Sequence, residues 1–177
     1  MPTKKSTFSK YKNKYFIETG SYVGDGIQQA LDVGFDNIIS IELSDKYFRI
    51  CQNKFKDNSK VIVIKGESFK MLPELINKIE EPITFWLDGH HSCGDTALGE
   101  YWSPLMQELK VIKKHKIKTH TILIDDMRCW EKPNKVHGFY SEDIHKILKE
   151  INPDYELTYE FGIQKDDILA AHISLRN

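Results

Sequence analysis

The stretch from Tyr15 to Gly26, Tyr-Phe-Ile-Glu-Thr-Gly-Ser-Tyr-Val-Gly-Asp-Gly, constrains the fold of this chain most. A short apolar run ends in Glu18, glycines follow at positions 20, 24 and 26, and a helical pattern begins at about Ile27. This order predicts a β-strand, a tight turn and a helix, because glycine permits positive φ and lets a ligand approach the backbone closely. In an open α/β sheet such a turn lies at the carboxyl end of a strand, where ligands bind.

The spacing of these glycines, G-x-x-x-G-x-G, separates two classes of ligand. It differs from the dinucleotide fingerprint G-x-G-x-x-G, which places a pyrophosphate at a helix N-terminus. Glu18 would repel a pyrophosphate but attract an ammonium or sulfonium group. S-adenosylmethionine (SAM) carries both of these cations and no phosphate. Glu42, which ends the next predicted strand, lies 22 positions after Gly20, where an acid can bind ribose hydroxyls. We therefore predict a SAM-like ligand; a glycine-rich turn without a ligand is the alternative.

Strand-like and helix-like patterns alternate along the rest of the chain. The predicted strands are Tyr15–Ile17, Ile38–Glu42, Val61–Lys65, Ile83–Leu87, Thr121–Ile124, Tyr155–Phe161 and Ile168–Ile173, with a helix after each of the first five. This pattern predicts an α/β fold with a mostly parallel, doubly wound sheet. The closing strand pair indicates one antiparallel strand at or near the edge.

The bulk properties exclude several classes of protein. A chain of 177 residues with 40% hydrophobic and 29% charged residues is typical of one soluble globular domain. The net charge of −1 indicates no nonspecific binding to nucleic acid, and no apolar run is long enough to span a membrane. The 3 cysteines lack C-x-x-C spacing, which argues against a disulfide framework and a structural zinc site. We expect a cytoplasmic protein.

The N-terminal segment, residues 1–14, is polar and carries lysines at positions 4, 5, 10, 12 and 14. We expect a solvated, partly frayed terminus that precedes a catalytic domain of residues 15–177. The alternative is a basic lip over an anionic substrate or a partner.

Aspartates end two of the predicted strands. Asp88 follows the fourth strand, and Asp125 and Asp126 follow the fifth. If these strands are neighbours, about 4.8 Å apart, the three carboxylates can converge at the edge that carries Glu18 and Glu42. Converging carboxylates without a counter-charge favour a divalent cation, and an all-oxygen ligand set favours magnesium, calcium or manganese over zinc. The alternative is that each aspartate only caps a loop.

Two histidines follow Asp88 after a single glycine. His91 lies three residues after Asp88, a spacing that directs it back over the strand end if the loop turns there. Both histidines are candidate general bases, and we favour His91 over His90.

These motifs resemble class I SAM-dependent methyltransferases. Glu18 to Gly24 with Glu42 resembles their cofactor motif, whereas Trp86 to Ser92 and Leu123 to Asp126 resemble the metal-dependent sugar O-methyltransferases of the macrocin and mycinamicin type. The resemblance extends from about Tyr15 to Arg128. It implies a single-domain, Rossmann-like, seven-stranded sheet of order 3-2-1-4-5-7-6 with helices on both faces.

The resemblance also implies roles for individual residues. The methionine part of SAM is expected at Glu18, Thr19, Gly20, Ser21 and Gly24, its ribose at Glu42 and its adenine edge at Ser68, with Asp88 also at the cofactor. Mg²⁺, or Mn²⁺, is expected on Asp88, Asp125 and Asp126. His91 is the expected base, and Asp88 is the second catalytic residue.

The expected acceptor is a hydroxyl group of a sugar or glycan. Cys93, Thr96, Trp102 and the loop Met127–Tyr140 are expected to shape its pocket, and Trp102 or Trp130 to stack on a sugar face. The alternatives are a phenolic hydroxyl or a SAM-binding module without catalysis. A metal-dependent hydrolase would not explain Glu18 and Glu42. The exact acceptor and the oligomeric state stay open, with a homodimer as one option.

Overall fold

Seven strands form one sheet in the computed structural model, which describes residues 5–91, 96–131 and 138–174. The strands are β1 Tyr15–Thr19, β2 Asn37–Glu42, β3 Val61–Lys65, β4 Ile83–Leu87, β5 Thr121–Ile124, β6 Glu156–Glu160 and β7 Ile168–His172. Their order is β3-β2-β1-β4-β5-β7-β6, and β7 is antiparallel to both β5 and β6. The predicted fold class, strand order and single antiparallel strand are confirmed.

Strand β1 lies at the centre of the sheet and pairs in parallel with β2 and β4. Its residue Glu18 lies opposite Ser40 on one side and Trp86 on the other. Strands β2 and β3 lie on one side of β1, and after β3 the chain crosses to the other side to form β4. The strand order therefore reverses between the carboxyl ends of β1 and β4. Ligands bind at this point in open α/β sheets.

Within the described ranges, six helices cover the two faces of the sheet. They are α1 Lys5–Lys10, α2 Asp25–Val33, α3 Asp45–Phe55, α4 Ser68–Ile76, α5 Leu105–Lys114 and α6 Ser141–Ile151, and a 3₁₀ turn spans Met127–Cys129. Helices α1 to α3 pack on one face and α4 to α6 on the other. Strand β4 is buried throughout, with Phe85 in the core of the second face and Trp86 in that of the first. Burial on both faces explains its continuous apolar sequence.

The N-terminal segment is folded where the structure describes it. Phe8 and Tyr11 are buried, with 0% and 2% of their surface exposed, and the ring of Phe8 lies 5.0 Å from that of Trp86. Burying a phenylalanine contributes about 2 kcal/mol, which explains why polar neighbours do not keep this segment in solvent. The expectation of a solvated terminus is therefore wrong for residues 5–14.

The basic-lip alternative is not supported either. Lys10 pairs with Glu160 at 2.5 Å and Lys14 with Glu81 at 2.8 Å, and no residue from 5 to 14 lines the main cavity. Across the described parts of the chain, every helix is too short or too polar to cross a bilayer.

Candidate active site

A cavity of about 690 Å³ opens where β1, β2, β4 and β5 end. Several residues that the sequence marks as candidates line it: Gly20, Glu42, Ser68, Asp88, His90, His91, Asp125 and Asp126. Four other predicted cofactor residues are not among the lining residues: Glu18, Thr19, Ser21 and Gly24. The structure thus brings the predicted cofactor residues and the strand-end aspartates to one cavity, but it places part of the turn after β1 behind the cavity wall.

The turn after β1 needs glycine at its first position. Gly20 has a φ of 85°, and a Cβ atom there would lie 2.6 Å from the carbonyl oxygen of Asp88. The peptide N–H of Gly20 donates to Ile41 O, and that of Asp88 donates to Thr19 O. These two hydrogen bonds join the ends of the neighbouring strands β2, β1 and β4. Gly20 and Asp88 therefore lie next to each other in the cavity wall.

Glu18 lies beneath this turn rather than in the cavity. It is 2% exposed, and the hydroxyl of Ser40 donates to its carboxylate at 2.5 Å. A Cβ atom at Gly26 would overlap Oε1 of Glu18 at 1.8 Å, so the carboxylate lies against the first turn of α2. From this place Glu18 supports the turn from below.

Glu42 faces the cavity and is held rigidly. Its two carboxylate oxygens accept the backbone N–H groups of Tyr22 at 2.9 Å and Ser44 at 2.7 Å. The side chain is buried, yet the residue lines the cavity. Each oxygen of an ionised carboxylate has two acceptor positions, so both retain one for the hydroxyls of a ligand.

Sequence reasoning missed Glu108, a buried acid behind the cavity. Glu108 is 1% exposed and accepts a hydrogen bond from the hydroxyl of Ser68. Burial raises its pKa to about 7, against the lowering effect of that hydrogen bond. A signal was present, because Glu108 lies on the buried face of α5 with Leu105, Leu109 and Ile112. An acid on an apolar helical stripe indicates a buried polar site.

His90 lies between the aspartates that end β4 and β5. Its Nε2 atom is 3.2 Å from Oδ2 of Asp126, and its Nδ1 atom is 3.8 Å from Oδ1 of Asp88. Asp126 adopts a left-handed backbone, with a φ of 60°, which turns the chain sharply after β5. We call this part of the cavity, lined by Asp88, His90, Asp125 and Asp126, the acidic end.

Arg128 supplies a counter-charge that the sequence did not reveal. Its Nη1 atom lies 2.7 Å from Oδ1 of Asp126 and also contacts the fully buried carboxylate of Asp167. The premise that the aspartates lack a counter-charge is thus wrong for Asp126. Asp167 also accepts the N–H of Ile163 at 3.0 Å, which ties the β6–β7 loop to the site.

Two sets of potential metal ligands occur among residues 5–91, 96–131 and 138–174. In one set, oxygens of Asp125, Asp126 and Asp167 lie within 4.8 Å of one another; in the other, ligand atoms of His90, Asp126 and Cys129 do so. Asp88 belongs to neither set, although it lines the same cavity. The predicted trio is therefore only partly assembled.

His91 occupies a different wall of the cavity. Its Nδ1 atom lies 3.1 Å from the hydroxyl of Thr96, and its ring meets that of Trp102 edge-on at 4.6 Å. Thr96 and Trp102 both line the cavity, as the sequence predicts for the acceptor side.

The other residues predicted to shape the acceptor pocket are Trp130, Cys93 and the loop Met127–Tyr140. Trp130 is 2% exposed and stacks on Phe139 at 5.0 Å. The expectation that it stacks on a sugar is wrong, because its faces are covered by protein. Cys93 and residues 132–137 of the predicted loop lie outside the described residues.

Solved methyltransferases share this fold. An O-methyltransferase from Bacillus cereus in complex with S-adenosylhomocysteine (SAH) is 16% identical, with a TM-score of 0.66 over 97% of this chain and 81% of that one. The O-methyltransferase TomG from Streptomyces achromogenes, in complex with SAM, is 14% identical, with a TM-score of 0.66 over 96% and 77%. SAH-bound PaMTH1 from Podospora anserina is 15% identical, with a TM-score of 0.60 over 96% and 76%.

At these identities the likeness defines the class by its fold: a Rossmann-like methyltransferase fold. No protein-family model matches the chain, and no curated protein matches it.

Proposed function

We propose that this protein transfers the methyl group of SAM to a hydroxyl group. The observation that carries the proposal is Glu42, whose carboxylate is fixed by two backbone N–H groups at the rim of the cavity. A carboxylate held there suits the paired hydroxyls of a ribose and opposes a phosphate. The solved proteins of the same fold that contain SAM or SAH support the same ligand.

The described residues fit SAM. Glu42 would accept the ribose hydroxyls, Ser68 would face the adenine edge, and the methionine part would lie along the cavity wall at Gly20 and Asp88. Glu18 would favour the cationic groups from beneath the turn. When bound, SAM supplies an electrophilic methyl group on a sulfonium.

The acceptor hydroxyl would enter from the side of His91 and Trp102. His91 would accept its proton at Nε2, while the hydroxyl of Thr96 holds Nδ1 and fixes the ring. The main task of the cavity is alignment, because methyl transfer requires the acceptor oxygen about 3–3.5 Å from the methyl carbon and in line with it. The walls from the β4–α5 and β6–β7 loops would exclude water during this step.

A divalent cation at the acidic end belongs to the proposal. Four carboxylates, those of Asp88, Asp125, Asp126 and Asp167, lie in this region, against the single guanidinium of Arg128. Mg²⁺ or Mn²⁺ on Asp88, Asp125 and Asp126 is the ligand set that the sequence suggests, and it fits only in part. When bound, a cation would lower the pKa of the acceptor hydroxyl.

For the acceptor we propose a sugar or glycan hydroxyl. The support is the sequence resemblance to sugar O-methyltransferases and the position of Trp102, an aromatic wall of the cavity. Aromatic side chains bind one apolar face of a ring while neighbouring polar groups take its hydroxyls.

Two measurements test the proposal. Calorimetry should show binding of SAM and SAH and no binding of NAD; the reverse result would overturn it. Labelled SAM should then transfer its methyl group within a panel of glycans and phenols, with and without divalent metal. Transfer to phenols alone would replace the acceptor class, and SAM binding without transfer to any hydroxyl would favour a non-catalytic module.

A further inference from the structure

We propose that the acidic end binds a thiophilic divalent metal, Zn²⁺ or a close chemical relative, through His90, Asp126 and Cys129. This ligand set differs from the three aspartates that the sequence suggests. A role for the metal in methyl transfer rests on the proposed function, whereas metal binding itself does not.

The 3₁₀ turn after β5 brings two of the ligands together. Asp126 precedes the turn Met127–Cys129, and the N–H of Cys129 donates to the carbonyl oxygen of Asp126 at 2.8 Å. Asp126 itself has a left-handed backbone, with a φ of 60°. With this backbone, a carboxylate oxygen of Asp126 and the thiol sulfur of Cys129 lie within 4.8 Å of each other.

The third ligand comes from the loop after β4. Nε2 of His90 lies 3.2 Å from Oδ2 of Asp126, while Asp88 faces the opposite ring nitrogen at 3.8 Å. A cation between Nε2 and Asp126 would be within reach of both groups and would leave Asp88 on the far side of the ring. A carboxylate behind a metal-binding histidine is a common arrangement.

Arg128 separates the two candidate ligand sets. Its guanidinium contacts Oδ1 of Asp126 and the carboxylate of Asp167, so it already pairs with two of the three carboxylates of the all-aspartate set. Oδ2 of Asp126 remains on the side of His90. A cation on the all-aspartate set would share two carboxylates with this guanidinium, whereas a cation on the set that contains Cys129 would share only Asp126.

The ligand chemistry selects the metal. Sulfur and imidazole ligands favour zinc and neighbouring transition metals over magnesium and calcium. Tetrahedral zinc places its ligand atoms roughly 3.3–3.8 Å apart, from bond lengths of about 2.0–2.3 Å. The three atoms lie within 4.8 Å of one another, so closure requires a shift of only about 1 Å. Three protein ligands leave a fourth position open, and Asp126 and His90 both line the cavity.

Cobalt titration of the full chain tests the site directly. We expect one equivalent of Co²⁺ to produce thiolate-to-cobalt charge-transfer absorption, and Zn²⁺ to abolish it by displacement. Cys129→Ser should remove this absorption, while the matched variant Cys51→Ser, at the other described cysteine, retains it. Asp88→Asn should weaken Zn²⁺ binding by about 10–100-fold, as loss of a carboxylate behind a ligand does.

Three outcomes would overturn the proposal: no thiolate absorption in the folded wild-type protein, absorption that persists in Cys129→Ser, or displacement of Co²⁺ by Mg²⁺ at equal concentration. Circular dichroism and thermal unfolding confirm that Cys129→Ser is folded. Calorimetry with SAM on the same samples keeps the two proposals apart. Failure to bind SAM with the cobalt spectrum intact would overturn the proposed function and leave the metal site standing.

Discussion

The hydroxyl of Ser68, the first residue of α4, donates a hydrogen bond to the buried carboxylate of Glu108 in the first turn of α5. This bond joins two helices behind the cavity. Because the Ser68 hydroxyl donates its hydrogen to Glu108, its oxygen can only accept hydrogen bonds from a group in the cavity. An acceptor there suits an exocyclic amino group, such as that of adenine.

Glu108 should make the stability of the protein fall as pH rises. Its folded pKa of about 7 exceeds the ordinary value of 4.5 because burial disfavours the charged form. The folded state therefore binds more protons than the unfolded state between these values, and about 3 kcal/mol is lost as pH rises through them. Glu108→Gln should remove this contribution from the pH profile of stability. Urea unfolding at pH 5 to 8 measures it.

The exposed acid Glu74, on α4, provides the control for this experiment. Glu74→Gln should keep the wild-type slope. Equal slopes in Glu108→Gln and Glu74→Gln would show that Glu108 does not titrate in this range.

His120 should act with the opposite sign. It is fully buried, its Nδ1 accepts the N–H of Ile83 at 3.1 Å, and its Nε2 lies 2.8 Å from Nδ1 of His115. Burial lowers its pKa to about 3. The unfolded chain therefore takes up a proton first as pH falls below about 6.5, and His120 alone should lower stability by about 2 kcal/mol between pH 6.5 and 5. His120→Asn should remove this contribution from the unfolding profile.

Because the two effects oppose each other between pH 4.5 and 6.5, the wild-type profile should be nearly flat there. Glu108→Gln should expose the histidine slope, and His120→Asn the carboxylate slope. His145→Asn, at a half-buried histidine on α6, is the matched control. A flat profile in both test variants would refute the assignment of the two titrations.

The sequence predicted the sheet well because strand periodicity and strand-end glycines and acids are local signals. Glu42, Asp88 and Asp125 each follow or end a short apolar run, and parallel strands bring such ends to one edge. The cavity could therefore be anticipated from three separate segments.

The features that were missed depend on contacts distant in sequence. Arg128 and Asp167 meet only because β7 returns antiparallel beside β5, and no local pattern announces that pair. Phe8 and Tyr11 lie on one helical turn too short to produce a clear period. Cysteine spacing does not reveal Cys129, because the nearby ligand three residues before it, Asp126, is not a cysteine.

Glu42→Gln should weaken binding of SAM and SAH. The substitution keeps the shape of the side chain but removes its charge, and a hydrogen bond to a charged group contributes about 1.5–3 kcal/mol. Calorimetry should show an affinity loss of roughly 10–150-fold. Glu160→Gln, at an acid paired with Lys10 and absent from the cavity wall, should bind SAM normally. Unchanged affinity in Glu42→Gln would remove Glu42 from the ribose site.

His91→Ala should reduce methyl transfer by about 10²–10⁴-fold, the usual contribution of a general base. SAM affinity and the cobalt spectrum should stay unchanged, because His91 contacts Thr96 and Trp102 rather than the acidic residues. Thr96→Val should cause a smaller loss, since it frees the ring without removing it. His145→Ala controls for loss of a histidine elsewhere. If His91→Ala is fully active and His90→Ala is inactive with its cobalt spectrum intact, the base is His90. If the His90→Ala spectrum is lost instead, His90 is a metal ligand and the proton leaves by another group.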